Sequence, residues 1–180
     1  MTVEPIPNVK GKNAPGIKRI YLAALSDIAT IPSETGWVIS DDIVMQSGKS
    51  FVLLEVSGQA GSTLMVDEAE AEDTTSWVYS LEGFIGGIGP TQYTALDNLA
   101  NNPVMAICEN KNGLFELAGE EGRGLRFKLH QEGGLNAGSR RGVAFEAVMD
   151  FGHMPYFYTG TLPISEGNNV FPYVFPYKLA

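Results

Sequence analysis

The chain has little cysteine, few basic residues and no long apolar run. Cys108 is the only cysteine among 180 residues, so no disulfide can form within the chain. The 12 Lys and Arg residues are outnumbered by 21 Asp and Glu residues, and the resulting net charge of −9 repels nucleic acid rather than binding it tightly. No apolar stretch is long enough to span a membrane, and the N-terminus lacks the basic and apolar regions of a signal peptide. We therefore expect a reducing assembly compartment and no membrane partner.

Two glycine motifs resemble phosphate-binding loops but lack required residues. Gly48-Lys49-Ser50 matches the end of a P-loop, but Ile43 occupies the position of the first glycine and a strand is predicted to follow. Gly87-Ile88-Gly89 matches part of a dinucleotide loop, but Gln92 occupies the position of the third glycine. We therefore predict that the protein is not an enzyme and has no cofactor.

The residues that could bind a metal ion do not form a recognisable ligand set. His130 and His153 have no close spacing with each other or with Cys108, which is interpreted as a small buried residue in the apolar run Val104–Cys108. The acidic segment Asp67–Asp73 lacks the regular alternation and the glycine of a calcium loop. We expect no metal site and interpret the acidic segment as a solvated loop.

The patterns that are present indicate a mainly β protein with one short helix. The chain has 21 glycines and 10 prolines, which suits a turn-rich β domain. Thr75–Ile85 alternates over its whole length and runs into glycines, and a helical pattern follows at Pro90–Ala100, where proline suits the first turn. A second long strand is predicted at Arg141–Phe151, and the two long strands are expected to pair.

Shorter strands are predicted around these two. They are Ile17–Ala23, Ser50–Val56, Thr63–Val66, Pro103–Glu109, Leu114–Ala118 and Gly124–His130. Thr63–Val66 is expected to pair with Ser50–Val56, and a tight turn is expected at Asn110–Gly113.

Alternation along the two long strands divides their side chains between two faces of a sheet. The apolar set needs a core and consists of Trp77, Tyr79, Leu81, Phe145 and Met149. The acids Glu82, Glu146 and Asp150 lie on the opposite face, which is expected to face water.

Three features of the chain predict self-assembly. Residues 1–16 and 161–180 are expected to be extended arms on a single domain at 17–160. The long strands exceed what a small closed domain needs, and strand edges must be paired or covered. A ring of identical subunits joined edge to edge satisfies these requirements. The expected subunit-interface residues are Leu81, Phe145, Phe171, Tyr173 and Phe175.

The predicted helix and the strands after it resemble the middle of bacteriophage tail tube (major tail) proteins. Thr94–Ala100, Pro103–Glu109 and Asn110–Gly119 follow that family's order of helix, strand, polar Asn-Gly turn and strand ending in glycine. Gly16–Leu22 resembles the family's first strand, and the long strands resemble its inner-barrel strands in order. The resemblance covers roughly residues 16–151.

The resemblance implies a β-sandwich or barrel-like tail-tube fold and a structural role in the virion tail. Hexameric rings would stack into a hollow tube, assembled in the host bacterial cytoplasm, with tape measure, terminator and baseplate proteins as further partners. Double-stranded DNA would pass through without specific binding, and Glu82, Glu146 and Asp150 would face the lumen. Gly58–Asp73 is expected to be a mobile loop that a neighbour orders. Its expected inter-ring residues are Asp67, Glu68, Glu70, Glu72 and Asp73.

Two alternatives stay open on the sequence alone: a related ring protein of the same kind of particle, and a protein of another class. The chain could be another ring protein of a phage tail or contractile injection system, such as a terminator or a baseplate ring. It could also be a small β-sandwich binding module, which would be a monomer or dimer in solution. The molecular mass of the purified protein distinguishes a ring or polymer from a binding module.

Overall fold

The computed structural model describes residues 16–54, 62–70, 75–86, 89–133 and 142–164. Its strands are β1 (Ile17–Ala24), β2 (Ile28–Thr30), β3 (Val38–Ile39), β4 (Val44–Met45), β5 (Val52–Leu54), β6 (Thr63–Glu70), β7 (Thr75–Gly86), β8 (Val104–Asn110), β9 (Phe115–Ala118), β10 (Arg126–Glu132), β11 (Gly142–Phe151) and β12 (Tyr156–Tyr158). One α-helix, α1 (Pro90–Asn101), and a short 3-10 turn (Leu25–Asp27) complete the described elements. The fold is mainly β with one short helix, which confirms the sequence prediction of its class.

The strands form two main sheets. A six-stranded sheet has the order β3-β12-β9-β8-β1-β5, and a four-stranded sheet has the order β10-β11-β7-β6. Every neighbouring pair in the four-stranded sheet is antiparallel. The two longest strands, β7 and β11, pair with each other over residues 77–86 and 142–151, as predicted. The remaining strands, β2 and β4, pair with each other.

The first core contains side chains from both sheets. The five apolar residues predicted to need a core all pack in or against it: Trp77, Tyr79, Leu81, Phe145 and Met149. Ile20 and Leu22 of β1 belong to the same cluster. Leu96 of α1 is also part of it and is almost fully buried, so the helix contributes to the core through one face.

A second core covers the other face of the six-stranded sheet. Met105 and Ile107 of β8 are fully buried there with Ile43, Phe51 and Tyr158. The Tyr158 hydroxyl donates to the carbonyl of Thr161 at 2.8 Å and accepts from the Ile43 amide at 3.3 Å. Coverage on both faces explains why the sequence of β8 is continuously apolar. Cys108 is buried in this strand, which confirms its interpretation as a small buried residue.

The turn predicted at Asn110–Gly113 is present and has a local cause. The Asn110 side-chain oxygen accepts hydrogen bonds from the Asn112 and Leu114 amides, both at 3.0 Å. Gly113 has a φ of +84°, a conformation that glycine adopts without a steric cost. The turn therefore joins β8 and β9 as adjacent antiparallel strands.

One predicted pairing and one predicted loop are wrong. Thr63–Val66 does not pair with Ser50–Val56, because β6 pairs with β7 and β5 pairs with β1. Gly58–Asp73 is not a loop throughout, because residues 63–70 form the eight-residue strand β6.

The expected interface role of Leu81 and Phe145 is also wrong. Their side chains are 0% and 3% exposed within one chain and lie in the first core, so they are not available to a neighbour. The edges of β7 and β11 are not free either, because both strands are central in their sheet. The outer strands of that sheet are β6 and β10.

The ends of the predicted domain lie close to the limits of the described residues. Residues 1–15 and 165–180 lie outside them, and so do the predicted sites Glu72, Asp73, Phe171, Tyr173 and Phe175. Leu162 packs against the second core and Ile164 bridges to Phe51, so packed structure continues into the segment predicted as an arm.

Candidate functional site: the exposed face and outer strands of the four-stranded sheet

The four-stranded sheet has one face on the first core and the other in solvent. Residues directly opposite each other on paired strands point to the same face, with Cβ atoms about 4.5–5.5 Å apart. Glu82 of β7 lies opposite Glu146 of β11, and both are exposed. Asp150 is exposed on the same face, opposite Val78. The structure thus brings the three predicted acids together on the face away from the core.

A complete row of polar residues crosses this face. Lys128 of β10 lies opposite Glu146, Glu146 opposite Glu82, and Glu82 opposite Thr63 of β6. Two like charges directly opposite each other are destabilising, whereas opposite charges are favourable. Glu146 therefore has one unfavourable neighbour, Glu82, and one favourable neighbour, Lys128.

Sequence reasoning missed the basic part of this face. Arg126, Lys128 and His130 alternate along β10 and are all exposed on the solvent side. The signal was available, because the same period of two that placed the acids also places these residues on one face. The face therefore has a basic outer strand next to an acidic centre.

The row of polar residues borders a depression of about 530 Å³ in the exposed face. Its walls include Thr63, Glu82, Phe84, Lys128 and His130. Phe84 is almost fully buried although it lies on the solvent side. A Cβ at Gly142 would approach the Phe84 ring to 2.7 Å and the Ile85 carbonyl oxygen to 2.1 Å, so glycine permits this close contact between β11 and β7.

The outer strands of the sheet differ in charge. β10 contains Arg126, Lys128 and His130, whereas β6 contains Asp67, Glu68 and Glu70. Asp67 and Glu68 are exposed. They lie in a strand that ends at Glu70, whereas the sequence predicted that these residues belong to an inter-ring loop. Among the described residues, each outer strand has a neighbour in this sheet on one side only. An outer strand presents unpaired backbone groups that another strand can bind.

A histidine cluster connects the end of β11 to the start of β12. The His153 ring places Nε2 3.3 Å from Glu120 Oε2 and Nδ1 2.6 Å from the Met154 carbonyl. The Tyr79 hydroxyl donates to the His153 carbonyl at 2.5 Å. Since both ring nitrogens already face oxygen atoms of the protein, the arrangement serves to fix the connection between the two sheets and leaves neither nitrogen for a substrate.

Burial in this cluster and in the cores changes the acidity of several groups. Burial raises the pKa of the Tyr79 hydroxyl, and the nearby Glu120 carboxylate raises it further. Burial likewise raises the pKa of Tyr156, of Tyr158 and of the Cys108 thiol. A thiol that resists ionisation is a poor nucleophile, which agrees with a packing role for Cys108.

The P-loop-like residue Lys49 takes part in an ordinary surface ion pair, with its Nζ 3.0 Å from Asp27 Oδ1.

Within the described ranges, no group of three or more His, Cys, Asp and Glu side chains is placed to hold a metal ion. In those same ranges, no helix has the length and apolar character needed to cross a membrane.

Comparison with known proteins adds no assignment. No protein-family model, curated protein or solved structure matches this chain.

Proposed function

We propose that this protein is a ring-forming structural protein of a phage tail, in which the exposed face of the four-stranded sheet lines a channel for double-stranded DNA. The observation that carries the proposal is a four-stranded antiparallel sheet with a charged solvent face and outer strands of opposite charge. The tail-tube resemblance of residues 16–151 supports stacked hexameric rings as the form of assembly. The protein would assemble in the bacterial cytoplasm and reside in the virion tail with tape measure, terminator and baseplate proteins.

The strand directions of this sheet suit closure into a ring. Because its four strands alternate in direction, β10 and β6 run in opposite directions. When copies are arranged side by side, β10 of one copy meets β6 of the next as an antiparallel pair, the same pattern as inside the sheet. A head-to-tail contact of this kind closes into a ring if the rotation between copies is appropriate.

The charges of the two strands favour the same contact. Arg126 and Lys128 on β10 would lie near Asp67 on β6 of the next copy. Such pairing offsets one of the two positive charges at each joint. With Glu82, Glu146 and Asp150, the acids of the exposed face outnumber its Arg and Lys residues, and the negative balance would repel the phosphates of passing DNA and prevent bound states.

Charge reversal at the outer strands tests the ring contact. The double variant Arg126→Glu, Lys128→Glu should fold, because both side chains are exposed, but should lose assembly. Adding Asp67→Lys, on the solvent face of β6, should partly restore assembly by reversing the other side of the joint. The reversal Glu121→Lys in an exposed turn is the control and should leave assembly unchanged. Normal assembly of the double variant, measured by sedimentation, would contradict the contact.

Charge reversal at the centre of the face tests the channel. The triple variant Glu82→Lys, Glu146→Lys, Asp150→Lys should fold and assemble, because these residues are exposed and lie on the two central strands. Genome passage should slow, because each lysine near a phosphate can displace counterions and hold the duplex. DNA ejection at the normal rate from particles with the triple variant would contradict a channel role.

A small binding module is the second candidate, and the depression of about 530 Å³ favours it. That volume falls within the range of roughly 300–1,000 Å³ typical of small-molecule sites. In that case the protein would be a monomer or dimer at all concentrations, and the charge reversal on β10 would leave its mass unchanged.

A further inference from the structure

A second cavity, of about 420 Å³, lies between α1 and the outer strand β5 of the six-stranded sheet. Its described walls are mainly apolar and include Leu22, Val52 and Leu54 from the sheet and Ala95 and Leu99 from the helix. We propose that aromatic side chains of the C-terminal segment Val170–Tyr177 of the same chain occupy this cavity. This proposal does not depend on ring formation, because it concerns one chain.

The described chain ends beside this cavity. Ile164 forms a parallel bridge with Phe51, and the Phe51 amide donates to the Pro163 carbonyl at 2.9 Å. Phe51 directly precedes β5, so a chain that continues in the same direction runs along the free side of β5. Among the described residues, β5 has a neighbour in its sheet only on the β1 side. Sixteen residues, 165–180, follow Ile164, and the five that precede the segment are enough to carry the chain from the edge of β5 toward α1.

The chemistry of the segment matches the walls of the cavity. Phe171, Tyr173, Phe175 and Tyr177 occupy alternate positions, so an extended chain would present all four on one side. Pro172 and Pro176 lack an amide hydrogen, which an outer strand tolerates and a central strand does not. Burying aromatic side chains against Leu22, Val52 and Leu99 removes from water a surface that is costly to expose.

The rim of the cavity is polar, which suits tyrosine in particular. Asn98 of α1 and the Asp27–Lys49 ion pair border the apolar floor. A tyrosine places its apolar ring on such a floor while its hydroxyl reaches a polar partner at the rim. The same residues would be poor partners for a wholly aliphatic segment.

Disulfide trapping in the full chain tests this placement. The pair Asn98→Cys and Val174→Cys joins the rim of the cavity to the middle of the segment and leaves its aromatic residues intact. The native Cys108 does not interfere, because it is buried. The control pair is Asp97→Cys with Val174→Cys, because Asp97 is the adjacent exposed residue of α1 and does not border the cavity. Mild oxidation should link the first pair at least about tenfold faster than the control, since a bound segment has a far higher effective concentration than a tethered free one.

Three results are distinguishable on a non-reducing gel. A fast link within one chain supports the proposal. A link between chains would overturn it in favour of a segment exchanged between copies, and equal rates for the two pairs would overturn it in favour of a segment bound elsewhere. Truncation after Gly167 provides an independent measurement. Hydrogen exchange at Leu53 and Leu99 should become faster on truncation, and unchanged exchange would contradict occupancy of the cavity.

Discussion

The two sheets of this protein differ in how much of their surface is covered. The six-stranded sheet has a core on each face, and β8 at its centre is buried along nearly its whole length. The four-stranded sheet has a core on one face, while the other carries Glu82, Glu146, Asp150 and Lys128 in solvent. One sheet is thus covered on both faces, and the other leaves a charged face in solvent.

Because of this difference, substitutions at adjacent positions in the sequence are expected to have different effects. On β7, Leu81 points into the first core and Glu82 points to solvent. A substitution at Leu81 is therefore expected to affect folding, whereas a substitution at an outer strand is expected to affect the proposed contact between copies.

The substitution Leu81→Asp should unfold the subunit, because it places a charge without a partner in the first core. Glu82→Lys at the next position should leave the subunit folded, since that side chain is exposed. Circular dichroism and thermal melting of the two variants measure the difference. A folded Leu81→Asp protein that merely fails to assemble would show that Leu81 is an interface residue after all.

The substitution Ile107→Ala in the six-stranded sheet should lower the free energy of unfolding by about 2–5 kcal/mol, because it leaves a cavity in the second core. Met65→Ala on the exposed face of the four-stranded sheet should change it by about 0.5 kcal/mol or less. Urea denaturation measures both values. Similar losses for the two variants would mean that the exposed face is also covered in the isolated subunit.

The substitution Tyr79→Phe should cost about 1 kcal/mol at neutral pH, because it removes the hydrogen bond to the His153 carbonyl. The pKa of Tyr79 is raised in the folded state, so its contribution is complete below the unfolded pKa of about 10 and is lost as the pH rises further. Stability above pH 10 should therefore fall less steeply in the variant than in the native chain. Tyr93→Phe on the exposed side of α1 is the control and should retain the native pH profile.

The substitution Glu82→Gln should stabilise the subunit by about 0.2–1 kcal/mol, because it removes the like charge opposite Glu146. Asp150→Asn should have a smaller effect, because Asp150 lies opposite Val78. The gain should shrink as salt is added. A salt-independent loss of stability in Glu82→Gln would show that the carboxylate makes a specific contact.

Local pattern was sufficient to predict which residues face the core and which face water. Alternation placed Tyr79 and Leu81 on one side and Glu82 on the other, and the proline and glycine positions gave the helix and the turn at Asn110–Gly113. The choice of strand partners was not predictable in the same way, because pairing depends on contacts between distant residues. Strand β6 has the same local features beside β7 as it would have beside β5, so its partner was assigned wrongly.

The position of the outer strands followed from that error. When β6 is paired with β5, the sequence prediction leaves the edges of β7 and β11 without neighbouring strands. That is why the interface was predicted at Leu81 and Phe145. In the structure, the outer strands of this sheet among the described residues are β6 and β10. β6 is acidic and β10 is basic. The second core also escaped prediction, because it is formed by short segments such as β3 and β12 that carry too few residues for a periodic signal.

We propose that copies of this protein join through β6 and β10 and turn Glu82, Glu146 and Asp150 toward a shared channel. Electron cryo-microscopy of the purified native chain, at concentrations that favour assembly, tests it most directly. We predict rings or tubes in which β10 of each copy pairs with β6 of the next and the three carboxylates line the central opening. A protein that stays monomeric, or a ring that turns this face outward, would contradict the account.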